Sequence, residues 1–168
     1  SELQATEAWQ GLRQKLADPS AGQAARIADT VQLIGHVGDT SNLILDPDLD
    51  SYYLMDATVT VLPALAGALS TIGGRLVEEQ ASGAPSVGGQ AELLAALVLA
   101  RAERDAVARG HAVAFRANPR LTSALETHQK ASGAAVDAVA TLLDDAGRGS
   151  AAGQTSEGPS LLERAISA

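Results

Sequence analysis

The sequence predicts an all-α protein, an antiparallel helical bundle of the four-helix-bundle kind with one long, proline-kinked helix. Three observations carry this. Apolar residues recur at three- and four-residue spacing through most of the 168 positions, the period of amphipathic helices. Aromatic residues make up 2% of the chain, so the core has to be built from Ala, Leu and Val, which suits closely packed helices better than sheets. Short breaks, at Asp18–Pro19, 81–90 and Asn118–Pro119, separate the periodic segments. The length fits one domain over residues 1–168.

The first helix is expected over about 2–17, with Trp9, Leu12 and Leu16 on one face, and stops at Asp18–Pro19. A second, about 21–37, repeats Ile27, Val31 and Ile34, and Gly35 and Gly38 weaken its end. Residues 39–50, DTSNLILDPDLD, read as a buried loop leading into a capped helix. Asp46 suits the N-cap, Pro47 the first helical position, and Asp48 and Asp50 the first turn, where the helix dipole favours negative charge.

The third helix should be the longest, about 47–80. Met55, Leu62, Leu69 and Leu76 fall on one heptad position, and Thr58, Leu65 and Ile72 on the other, the seam of a packed bundle. Pro63 falls off this seam and should kink the helix without ending it. Gly73–Gly74 is a second weak point. The segment 81–90, ASGAPSVGGQ, reads as a linker. A fourth helix is expected over about 90–116, with Leu93, Leu97, Ala100, Val107 and Ala114 inward, and a fifth over about 119–146, carrying Leu121, Leu125, Val139 and Leu142. Residues 147–160 read as a glycine- and serine-rich loop, and a last helix is expected over 161–168.

With 12 basic against 20 acidic residues and a net charge of −8, the chain lacks the basic face that phosphate neutralisation needs, so nucleic acid is not an expected partner. No cysteine is present, which removes disulfides, thiolate nucleophiles and cysteine metal sites together. Residues 57–74 hold no charge over 18 positions. Their threonines, Pro63 and three glycines, with an acidic lead-in, favour a buried helix over a membrane span. No signal peptide is visible, and without an initiator methionine the chain reads as a piece of a longer protein.

Asp46, Asp48 and Asp50 have the spacing that opens an EF-hand loop, but Ser51 and Ala57 stand where it needs glycine and a bidentate glutamate. Helix capping explains all three aspartates. Tyr52 and Tyr53 are about 100° apart on a helix; one is expected to pack inside and the other to line a groove or interface. His36, His111 and His128 lie on three separate helices in no metal-ligating spacing and read as surface or half-buried residues. Neither a nucleophile elbow nor a phosphate-binding loop occurs, so no catalytic residue, metal or cofactor is expected. Arg101, Arg104, Arg109 and Arg116 form a basic strip that could hold a carboxylate ligand, or a solvated face paired with Glu103 and Asp105.

The stretch Ser41–Asp56, SNLILDPDLDSYYLMD, continuing to LPAL at 62–65, resembles a signature of the helical extracytoplasmic sensor domains of bacterial transmembrane receptors. These precede methyl-accepting chemotaxis signalling domains, histidine kinases or diguanylate cyclases. The near-identical part is 16 residues, and elsewhere the likeness is helical character alone. The resemblance implies a periplasmic domain anchored in the membrane through flanking helices outside this chain. It also implies a homodimer and a small-molecule ligand whose binding displaces one helix against the others. Asn42, Asp46, Asp50, Tyr52, Tyr53 and Asp56, with Arg101 and Arg104, are the candidate ligand contacts. The competing expectation is a helical adaptor or scaffold module binding a protein partner. A carboxylate-bridged metal enzyme would need Glu-x-x-His pairs, which Glu126 and His128 do not supply.

Overall fold

Proline at position 63 removes one amide hydrogen from the most apolar helix of the chain, and the helix answers by widening just before it. In the computed structural model, which describes residues 5–18, 20–41, 47–82 and 86–151 with side chains through Asp144, the elements are six α-helices and one π-helical turn. They are α1 (Thr6–Ala17), α2 (Gln23–Thr40), α3 (Leu49–Asp56), the π turn (Ala57–Val61), α4 (Leu62–Ser82), α5 (Val87–Ala117) and α6 (Arg120–Ala151). No strand occurs among the described residues. The fold is all-α and bundle-like.

α3, the π turn and α4 form one continuous helix of 34 residues, about 51 Å long at 1.5 Å per residue. The Leu62 amide bonds to the carbonyl of Ala57, five residues back. A regular helix would drive the Pro63 ring into the carbonyl of Val59 and leave that carbonyl without a donor. One extra residue in the turn relieves both problems.

The extra residue also shifts the phase of the helix. Ala57, Val61, Leu65, Ala68, Ile72 and Leu76 are buried, whereas Thr58 is exposed and Leu62 is 40% exposed. An uninterrupted heptad puts Thr58 and Leu62 on the seam and Pro63 off it. Here Ala57 takes the inward place of Thr58, and Pro63 is buried.

α5 is the central element. It lies against α3, the π turn, α4 and α6, while α2 packs on the π turn and α4, and α1 packs on α2. Ile72 and Leu76 of α4 meet Ala96 and Leu97 of α5 and Ala140 of α6. One turn further along, Leu65 and Ala68 meet Ala100 and Val136. Ala100 and Ala114 are fully enclosed, and small side chains at the contact allow close helix approach. All five inward positions expected on α5 face the core, Leu93 less deeply than the others. On α6, Val136 and Ala140 go deepest and the expected Leu121, Leu125, Val139 and Leu142 are half-buried. Arg75 bridges α4 to Glu92 of α5.

Several boundaries differ from expectation. α2 runs through Gly35 and Gly38 to Thr40, because Gly38 is a packing site: a Cβ there would lie 2.5 Å from Val59 Cγ1. The segment 81–90 contributes mostly to helices, and α5 starts at Val87, where the Ser86 hydroxyl accepts from the Gly89 amide at 2.9 Å, a serine N-cap. α6 extends to Ala151, so residues 147–151 of the expected loop are helical, and the rest of that segment lies outside the described residues. On α1 only Leu12 is buried; Trp9 and Leu16 are 49% and 47% exposed, and among the described residues α1 has α2 as its sole helical neighbour. The last expected helix, 161–168, lies outside the described residues, as do the first four.

Two glycine substitutions should separate packing from propensity. Gly38→Ala is expected to destabilise by about 1–3 kcal/mol through overpacking against the stiff Val59 side chain. Gly73→Ala, whose Cβ would meet nothing within 4 Å, should stabilise by up to about 1 kcal/mol. Urea unfolding of both variants checks the pair of signs.

Candidate functional site

The acidic corner that begins α3 is built by a helix start. The helix begins at Leu49 with Asp48 at its N-cap, two residues later than the sequence suggests, so Pro47 precedes the helix. The Asp48 carbonyl accepts from the Tyr52 amide at 2.9 Å and from the Ser51 hydroxyl at 3.3 Å. Asp50 sits in the first turn, where the dipole favours a carboxylate. Asn42 and Asp46 lie outside the described residues.

Asp50 reaches across to the α5–α6 turn. Asn118, 68 residues away, donates its side-chain amide to Asp50 Oδ2 at 2.8 Å. This hydrogen bond, followed by one from the Ser51 backbone, holds the Asp50 carboxyl below the usual carboxylate range. Asn118 is the C-cap of α5, and its side-chain oxygen accepts from the Arg120 amide at 3.3 Å. One asparagine therefore terminates α5, starts α6 and tethers α3.

The two tyrosines divide as expected. Tyr53 is half-buried over Gly110 of α5, where an added Cβ would lie 3.3 Å from Tyr53 Cδ1. Tyr52 is 37% exposed and shares its face with the half-buried Asp56 one turn on. Despite pointing to different faces the two rings meet edge-on, with centroids 5.3 Å apart and planes at 83°, a favourable aromatic geometry. The corner thus offers solvent a phenol, a carboxylate and the rim of a second ring.

The arginines belong elsewhere. Arg104 pairs with Asp105 at 2.8 Å and with Asp137 of α6, and Arg101 lies 3.5 Å from Asp144 of α6. The pairs with Asp137 and Asp144 bridge α5 to α6, and the Asp105 and Asp137 carboxylates raise the Arg104 pKa above its ordinary value. Arg104 is 14 residues from Asn118, about 21 Å along the helix, so the strip and the corner are not one site. The partner Glu103 expected from the sequence is not among the arginines' ion pairs.

A cleft of about 190 Å³ opens between α4, α5 and α6, lined by Leu65, Arg104, Val107, Gln129, Lys130 and Gly133 among others. Its polar groups are largely committed: Lys130 pairs with Glu126 at 2.7 Å, and Gln129 Oε1 lies 3.3 Å from His111 Nδ1. His111 is buried, deeper than the sequence suggests, with its ring centroid 5.6 Å from that of Phe115. His36 is half-buried and His128 exposed. Among the described residues no three His, Asp or Glu side chains converge as a metal site would require.

Asn118, Gly110 and His111 are the positions that sequence reasoning missed. Asn118 precedes a proline and reads as a helix break, and Gly110 as a neutral helical glycine; neither carries a local sign of a partner nearly 60 residues or more away. No protein-family model, curated protein or solved structure matches the chain.

The tether has a pH signature. Because the folded Asp50 pKa is depressed, its contribution is present above the unfolded value and is lost as pH falls through the folded one. Asp50→Asn removes that linkage. The melting-temperature advantage of the parent chain over Asp50→Asn at pH 7 should therefore narrow below about pH 4, as read from thermal melts between pH 7 and pH 2.

Proposed function

We propose that this chain is the ligand-sensing domain of a bacterial transmembrane signalling receptor, extracytoplasmic and not catalytic, of the kind found in methyl-accepting chemotaxis proteins. The observation that carries this reading is the docking of the SNLILDPDLDSYYLMD corner: its described part packs on α5 with the Asp50–Asn118 side-chain hydrogen bond and the seat of Tyr53 on Gly110. A small molecule that engaged Tyr52, Asp56 and Asp50 would compete with that tether. The corner opens a 34-residue helix, so its displacement would be carried along α3 to the π turn, where the helix packs on both α2 and α5. A ligand biases such an equilibrium by its differential affinity for the two positions.

The helix Leu49–Ser82 is long and apolar enough to cross a membrane by length and composition. Its packing against α2 and α5 suits a core helix equally well. Membrane anchoring therefore enters the proposal through helices flanking this chain, and so does the homodimer.

One observation favours the adaptor reading. α5 is apolar on the face opposite its core, where Val87, Leu94 and Val98 are 87%, 63% and 59% exposed, with Leu99 on the flank 44% exposed. A helix apolar on both sides is usually covered, and a partner helix could cover it.

Thermal melts against amino acids, organic acids, purines and polyamines separate the two. A ligand at a hundred times its dissociation constant adds about 2.7 kcal/mol, a shift of several degrees. The sensing reading expects such a shift from one chemical class, abolished by Tyr52→Ala or Asp50→Ala. A flat response across the panel contradicts it and favours the adaptor.

A further inference from the structure

The phase of α3 depends on a single residue. In a regular α-helix running back from Leu65, the positions that face α5 and α2 are 61, 58, 54 and 51, to within about 40°. With the extra residue in the π turn they become Val61, Ala57, Tyr53 and Asp50, and these are the residues found buried, over Gly110 and bonded to Asn118. Removing the extra residue would set Thr58 in the place of Ala57, Leu54 on Gly110 and Ser51 opposite Asn118. The replacements keep much of the chemistry of each seat: a hydroxyl still bonds the Asn118 amide, leucine still fills an apolar seat, and threonine adds a methyl and a hydroxyl to the alanine place. That last change makes the slipped register the minor one.

The Ala57 amide faces the carbonyls of Tyr53, Leu54 and Met55, none of them five residues back, so the α-helical ladder runs up to the turn, and the Thr58 hydroxyl donates to the Leu54 carbonyl at 2.7 Å. Pro63, with no amide, confines the extra residue to its N-terminal side. On the α2 side Gly38 leaves room for Val59, where an added Cβ would lie 2.5 Å from Val59 Cγ1.

We propose that the π turn Ala57–Val61 is a register switch. α3 slips by one residue relative to α4, about 1.5 Å along the axis and about 100° around it, exchanging Asp50, Tyr53 and Ala57 for Ser51, Leu54 and Thr58 at the same three seats. The slip turns Tyr53 out to the exposed face now occupied by Tyr52. It deepens the sensing reading by supplying its displacement. It is tested with no ligand present, so its failure and a failure to bind ligand are read separately.

The chain has two tyrosines, so 3-fluorotyrosine labelling gives two fluorine resonances. In the parent chain the Tyr53 resonance should be shielded from a soluble paramagnetic agent and should show exchange with a minor state. Asp50→Ala should raise the minor population by about tenfold. Deletion of the exposed Thr60 removes the extra residue and leaves Ala57, Tyr53 and Asp50 at their present seats in a regular helix counted back from Leu65. It should therefore lock Tyr53 in the shielded state and abolish the exchange, with helix content unchanged by circular dichroism. Two sharp, non-exchanging resonances in both the parent chain and Asp50→Ala overturn the switch. So does exchange of the Tyr53 resonance that persists in a folded Thr60 deletion. If that deletion fails to fold, the Asp50→Ala exchange measurement decides alone.

Discussion

Proline has no amide hydrogen to give, and most of the candidate site follows from where position 63 places that missing donor. A helix can meet such a gap by ending, by kinking or by widening. This one widens, because it is held on both sides: Val59 is wedged on Gly38 of α2, while Leu65 and Ala68 are packed with Ala100 of α5. The turn takes in one residue more than an α-helical turn, and everything upstream is rotated by about 100°. Asp50 and Tyr53 face α5 because of that rotation.

The other constraint is the small size of the core residues. α5 meets its neighbours through Ala96, Ala100, Val107 and Ala114, which brings the helices close but buries little apolar area per contact. Ion pairs and tethers at the edges matter correspondingly: Arg75 with Glu92, Arg104 with Asp137, Asp50 with Asn118. Surface pairs of this sort are individually weak. A corner held by one of them is a corner that a competing ligand can move.

The sequence showed the helices well and the phase badly. α5 was legible almost residue by residue, because Leu97, Ala100, Val107 and Ala114 lie on one unbroken 3.6-residue stripe. In the long helix the heptad reading held for Leu65, Ile72 and Leu76, downstream of Pro63, and failed for Thr58 and Leu62. No periodicity argument sees an inserted residue inside a helix. The division of Tyr52 outward and Tyr53 inward was legible as an alternative, and the π turn decides which tyrosine goes in. The Asp50–Asn118 bond was not legible, since two polar residues 68 positions apart carry no spacing signal. The arginines were visible as a strip, but their partners Asp137 and Asp144 lie on a helix whose register against α5 only the packing of Val136 and Ala140 fixes.

The register of α3 on α5 is open to a direct chemical measurement, since the chain has no cysteine to interfere. Paired cysteines at 50 and 118, and separately at 51 and 118, can be joined with a short thiol cross-linker under native conditions and the rates compared. The phase set by the π turn predicts that Asp50→Cys with Asn118→Cys cross-links several-fold faster than Ser51→Cys with Asn118→Cys. Equal rates, or a faster reaction at 51, would contradict it and return the helix to the uninterrupted heptad.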